Sequence, residues 1–171
     1  MKYRLVGSEM CIRDRIRNLA RFFDYERHFT AETRHAAMAG YFGLTSFLDD
    51  CVGEILATLE ESGQAEDTVI LYLSDHGELL GDKGMWTKQV MYEASAGIPM
   101  ILAGPGVPDG IVRNTAASIV DVAATALDVM LDTSDDSAPG LSLRQLAQDP
   151  DDADRTVPVS YTHLTLPTKQ M

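Results

Sequence analysis

The sequence predicts an α/β domain, with helices layered on a sheet. Three observations carry that prediction. Residues 30 to 62 place apolar side chains at helical spacing, TVILYL at 68–73 and IPMILA at 98–103 are short β-rich apolar runs, and a second helical pattern follows at 121–131. Helix, strand, loop, strand and helix in alternation is the order that builds α/β layers. The chain has 171 residues, of which 45% are hydrophobic. That is a globular composition, sufficient for one compact domain or for part of a larger one.

The first helix is bounded at both ends. Thr30 is placed to cap it, Glu32 lies in the first turn where the helix dipole favours acid, and Gly63 follows as a stop. Tyr41, Leu44, Leu48, Cys51, Ile55 and Leu59 recur at intervals of three and four and form one apolar face, expected to point inward. Cys51 on that face reads as a small buried hydrophobe rather than a nucleophile. The run at 68–73 suits a strand buried on both faces, as in a parallel sheet. Residues 98–103 read as a second such strand, closed by Gly104-Pro105-Gly106, and Val112 to Val120 as a third, shorter one. Asp121 is expected to cap a helix reaching about Leu131, with Val122, Thr125, Ala126 and Val129 inward. DTSDDSAPG reads as a polar loop, and Leu141 to Gln148 as a last short helix.

The two ends read differently. Residues 1–15 (MKYRLVGSEMCIRDR) show no helical or strand period, and 158–171 are equally foreign to what precedes them. Both resemble translated sequencing adapters, so 1–15 and 158–171 are expected to be non-native tails around a core of 16–157. The core holds 9 basic and 24 acidic residues, a net of −15, against −12 for the whole chain. Such acidity argues against nucleic-acid binding, which needs a basic face. Two cysteines, Cys11 and Cys51, give neither a disulfide framework nor zinc spacing. No apolar run has the length of a membrane span. With the natural start in doubt, the compartment stays open between bacterial cytoplasm and periplasm.

The chemistry concentrates in LYLSDHGELLGDKGMWTK, residues 71–88. In open α/β sheets ligands bind beyond the carboxyl ends of strands. Asp75 and His76 stand at such an end, and Gly77 relieves the backbone there. A carboxylate suits Ca²⁺ or Mg²⁺, and an imidazole suits Mn²⁺ or Zn²⁺ better. Lys88 is a point charge able to reach an anionic group. From spacing alone, however, Asp-His-Gly reads equally well as a turn.

The longer string settles more. TVILYLSDHGELLGDKGMWTKQVMYEASAGIPMILAGPGV, residues 68–107, resembles the sulfatase family of the alkaline-phosphatase superfamily, and is most similar to its choline-sulfatase branch. The resemblance extends from Arg34 to Leu146 and takes in SIVDVAATALDV and PGLSLRQL. It implies an alkaline-phosphatase-like, mostly parallel mixed sheet flanked by helices, here incomplete: the carboxyl portion of a catalytic domain. It also implies a divalent metal, Ca²⁺ before Mg²⁺ or Mn²⁺, with Asp75 and His76 at the metal and Lys88 contacting the sulfate. Whether His76 binds metal or ester oxygens stays open. Trp86 reads either as packing or as a wall of the substrate pocket, where its face would suit a quaternary ammonium. Glu78, Asp82 and Lys83 are expected to be solvated loop charges, and His28 and His35 surface or packing residues.

The family's nucleophile is a cysteine oxidised to formylglycine within Cys-x-(Pro/Ala)-x-Arg, far upstream of the Ser-Asp-His-Gly segment. CIRDR at Cys11 has Arg13 in place of Pro or Ala and lies too close to Asp75, and CVGEI at Cys51 does not fit. The expected function is therefore that of a fragment of a metal-dependent sulfatase acting on a small-molecule sulfate ester, inactive alone. The alternatives are a phosphonate monoester hydrolase or phosphodiesterase of the same superfamily, and a non-catalytic relic or interaction module.

Overall fold

The structure, a computed structural model, describes residues 9–131 and 139–157. Among the described residues the α-helices and β-strands follow in the chain order α1 (Glu9–Phe23), α2 (Tyr25–His28), α3 (Ala31–Glu61), β1 (Ile70–Leu73), α4 (Glu93–Ala96), β2 (Met100–Ala103), α5 (Val120–Leu131) and α6 (Leu143–Gln148). The chain divides into two compact units. One joins Met1–Ser62 to His76–Ile98, and the other joins Gly63–Asp75 to Pro99–Met171.

In the first unit α3 has the predicted limits. The Thr30 hydroxyl accepts from the Thr33 amide at 3.2 Å, and Gly63 follows the helix with φ +71°. Its apolar face is not inward, however. No described side chain of α3 is buried, and Leu44 and Ile55 are 69% and 67% exposed. Periodicity shows that a helix has an apolar side but not what lies against it. Cys51, a free thiol, is half-buried, and His28 and His35 are exposed as expected.

Residues 9–15 depart from expectation: they belong to α1, although they show no helical period. The helix is held further along, where Ile16, Leu19 and Ala20, at spacings of three and one, pack on a small core of Leu79, Met85 and Val90. Residues 1–8 and 158–171 lie outside the described residues.

The second unit carries the strand pair. β1 and β2 run antiparallel, with Leu73 opposite Met100 and Ile70 opposite Ala103. The expected parallel neighbours are absent among the described residues, because the segment from Leu73 to Met100 leaves and re-enters at the same end of the pair. A parallel return would have to cross to the other end. Nor do the strands bury both faces, since Tyr72 and Ile101 are exposed. Gly104 and Gly106 close β2 at φ +122° and +76°, and a Cβ on Gly104 would lie 2.5 Å from the Thr68 carbonyl oxygen.

The third strand predicted over 112–120 does not form. The Asn114 amide and carboxamide donate to the two Asp151 carboxylate oxygens at 3.0 and 2.8 Å, and Arg113 donates to the Ala147 carbonyl at 2.7 Å. Side chains from a later segment take the backbone group that a sheet would have used. The predicted loop at 132–138 lies outside the described residues.

Helix α5 begins at Val120, and Asp121 is not its outer cap but a buried hub, 1% exposed. Its carboxylate accepts from the Ser118 amide at 2.8 Å, the Leu141 amide at 2.9 Å and the Arg155 guanidinium at 2.7 Å. Burial opposes charge on Asp121, yet the hydrogen bonds from Arg155, Leu141 and Ser118 outweigh it and hold the carboxyl below its usual range. One turn on, the buried Thr125 hydroxyl donates to the Asp121 carbonyl and accepts from the Leu143 amide at 2.8 Å. The helix thus turns a polar face inward, while Ala126, expected inside, is exposed. Ser142 caps α6, and Arg144 reaches back to Asp128 at 2.5 Å, which holds that carboxyl low as well.

Candidate active site

β1 ends at Leu73, and Ser74, Asp75, His76 and Gly77 follow without regular structure. Asp75 is exposed and His76 half-buried. Gly77 owes its place to crowding. Its amide donates to the Ser95 carbonyl at 2.8 Å, and a Cβ on it would lie 2.2 Å from the Ala94 carbonyl oxygen. No larger residue fits without moving α4. The glycine expected to ease a turn instead lets two backbones touch.

His76 and Lys88 are twelve residues apart, and the loop between them closes so that Lys88 Nζ meets His76 Nε2. His76 Nδ1 lies 2.8 Å from the Gly77 carbonyl oxygen. A carbonyl only accepts, so Nδ1 carries the proton and Nε2 offers its lone pair to the Lys88 ammonium. Chain geometry thus joins an imidazole and a cation that the sequence placed only in the same segment.

The loop is held at its base by apolar contact and inside by a carboxylate. Leu79, Met85 and Val90 are buried, with Tyr92 packed beside them. Glu78, expected to be a solvated charge, is half-buried, and its Oε1 accepts from the Leu80 amide at 3.0 Å and the Thr87 amide at 2.5 Å. Thr87 returns its carbonyl to the Leu79 amide at 3.0 Å. Leu80, Lys83 and Thr87 all take positive φ, at 49°, 53° and 67°. Asp82 and Lys83 are surface charges as expected. They pair at 2.8 Å, which raises the Lys83 pKa, and Lys83 Nζ sits 4.4 Å from the Tyr92 ring centroid. Trp86 stacks on Phe29 with centroids 4.5 Å apart and planes 8° from parallel, so one indole face is covered by packing.

A bound cation needs more than this segment offers. Among the described residues no group of three His, Cys, Asp or Glu side chains converges on one point. Calcium takes six to eight oxygen ligands. Asp75 has the right donor chemistry, but the donor set does not amount to a metal site. No described helix is long and apolar enough to cross a membrane.

The solved structures that resemble this chain define its class first. A phosphonate monoester hydrolase, SpPMH from Silicibacter pomeroyi, superposes with a TM-score of 0.68 at 34% identity, over 74% of this chain and 25% of that one. A protein solved with its substrate D-glucosamine-2-N,6-O-disulfate superposes at 0.57 and 31% identity, over 63% of this chain and 22% of that one. The fold is therefore alkaline-phosphatase-like, α/β with helices beside a small sheet, and incomplete here. The family model described as Sulfatase matches residues 17–133, more than half of the chain, and the chain belongs to the sulfatase family. Its curated relatives include the choline-sulfatase of Rhizobium meliloti, 39% identical over 62% of this chain and 21% of the relative, and the human arylsulfatase K, 35% identical over 59% and 19%. The chain thus spans about a fifth of the length of these relatives.

Proposed function

We propose that this segment carries the sulfate-contacting part of an enzyme that hydrolyses a small-molecule sulfate ester. The observation that carries the reading is Lys88 set against His76 at the end of a strand, in a chain of the sulfatase family. One of the three ammonium N–H groups goes to Nε2, which orients the cation. A sulfate oxygen beside it would gain charge during displacement at sulfur, and a fixed ammonium stabilises that charge. With Nδ1 tied to the Gly77 carbonyl and Nε2 turned to an ammonium, His76 reads as a residue of the ester side, not the metal side. Asp75 would be the carboxylate offered to a divalent cation, Ca²⁺ before Mg²⁺ or Mn²⁺, together with ligands that this segment does not supply. The other ligands, and a formylglycine that attacks sulfur, would come from outside these 171 residues. Trp86 keeps a pocket role only on whichever edge or face Phe29 leaves open.

The test is to extend the reading frame from its source DNA and assay the encoded enzyme on an aryl sulfate and on a phosphonate monoester. Lys88→Ala should lower kcat on the sulfate by about 10²–10³. An unchanged kcat would remove Lys88 from the site. A strong preference for the phosphonate ester would favour the second reading, supported by the likeness to SpPMH. The 171-residue chain itself should not turn over an aryl sulfate, and hydrolysis abolished by Asp75→Ala would overturn that expectation. Rising activity on neither ester would leave the non-catalytic reading.

A further inference from the structure

We propose that Glu78 is a positioning residue: its carboxylate holds Thr87 in a left-handed conformation that delivers Lys88 to His76. Three observations meet at this point. Thr87 has φ +67°, a genuine outlier for a β-branched residue, which its two Cβ substituents resist. Such a conformation persists only when its surroundings impose it. Glu78 Oε1 is the group that does so, accepting the Thr87 amide at 2.5 Å and the Leu80 amide at 3.0 Å, while the Thr87 carbonyl is taken by the Leu79 amide at 3.0 Å.

Thr87 is therefore gripped at both its amide and its carbonyl. Lys88 is the next residue, so the φ of Thr87 sets the direction in which the chain presents it. Glu78 in turn follows His76 by two residues. The carboxylate thus ties the strand-end segment that bears the imidazole to the returning segment that bears the ammonium. Leu79 and Met85, buried between them, fix the depth of the loop, but apolar contact has no direction and cannot select a positive φ. A charge-assisted hydrogen bond can.

The catalytic meaning of this placement rests on the sulfatase reading above. The placement itself does not, and it is measured here without substrate, so the two fail separately. The experiment is NMR of the 171-residue chain. In the parent protein, cross-peaks should join the Lys88 side chain to the His76 ring, and the Thr87 amide should exchange slowly. Glu78→Ala should lose the His76–Lys88 cross-peaks and speed exchange at Thr87 by about tenfold to a hundredfold, while Leu79–Met85–Val90 contacts remain. Glu78→Gln keeps an oxygen able to accept and should retain the cross-peaks. Adding Thr87→Gly to Glu78→Ala should restore them, because glycine takes positive φ without the clamp. A purely structural Glu78 would not be bypassed this way. Should Glu78→Ala disrupt the apolar contacts too, recovery of the cross-peaks in the double variant decides for the proposal and their absence against it. Retention of the His76–Lys88 cross-peaks in Glu78→Ala overturns it outright.

Discussion

Asp121 and Glu78 each gather two backbone amides, and they do it differently. Asp121 draws in Ser118 and Leu141, residues on either side of α5, and is fully enclosed with the Arg155 guanidinium against it. Glu78 draws in Leu80 and Thr87, close in sequence, and remains half-exposed. Asp121 joins distant pieces of chain that adopt ordinary conformations. Glu78 joins near pieces, and both Leu80 and Thr87 lie in the left-handed region. A buried, ion-paired carboxylate suits a junction that must not move. A wetter one, opposing backbone strain, suits a loop that presents side chains to solvent or substrate.

The largest expected effect lies at the enclosed junction. Arg155→Ala leaves the Asp121 carboxylate buried without its cation, and breaking such a pair costs about 3–5 kcal/mol. The Arg155 bond to the Ala116 carbonyl is lost as well. Denaturant unfolding followed by a probe on α5 should show the drop. A loss below about 1 kcal/mol would mean that water enters and that Asp121 is no more enclosed than Glu78.

The next effect belongs to the other region. Gly77→Ala forces a Cβ to 2.2 Å from the Ala94 carbonyl, so the backbone must separate and the Gly77–Ser95 hydrogen bond lengthens. Overpacking of this kind costs about 1–3 kcal/mol. It should also loosen His76, which is next in the chain. Amide exchange confined to 76–97 is the expected signature, and an alanine accepted with no change there would mean that α4 yields freely.

How far this comparison could be read from the sequence depends on distance along the chain. The cap at Thr30, the stop at Gly63 and the helix between them rest on neighbours three or four residues apart, and those were legible. So were the existence of β1 and β2 and the position of Asp75, His76 and Gly77 just beyond the end of β1. Pairing direction was not legible, since an apolar run has no arrow. Asp121 read as a cap because its partners Leu141 and Arg155 stand 20 and 34 residues away. Glu78 read as a solvated charge because its partner is the amide of Thr87, and an amide leaves no mark in composition. The left-handed Thr87 had no signal either, since β-branched residues are the last expected there.

A smaller effect separates short-range from long-range support within the second unit. Ser142 caps α6 by accepting the Arg144 amide at 3.2 Å and also donates to Asp128 at 2.5 Å. Ser142→Ala removes both, at a cost of about 1 kcal/mol for the cap. If thermal unfolding shows a loss as large as that of Arg155→Ala, the junction is held by α6 more than by Asp121.

The gentlest perturbation is acid, and its sign follows from Asp121. Folding lowers this carboxyl below its ordinary value of 3.8. As pH falls below that value the unfolded chain takes up a proton that the folded chain still refuses, so protons favour unfolding. The stabilisation is whole above the unfolded value and drains away as pH drops through the lower, folded one. Asp128, also held low by Arg144, adds to the same slope. Acidification should therefore weaken the second unit progressively below about pH 4. In Asp121→Asn the slope should flatten, leaving the part due to Asp128 and to Asp151, which the Asn114 hydrogen bonds also hold low. Stability measured from pH 6 to pH 2 in both proteins checks this, and parallel slopes would show that the enclosed carboxylate is not what acid attacks first.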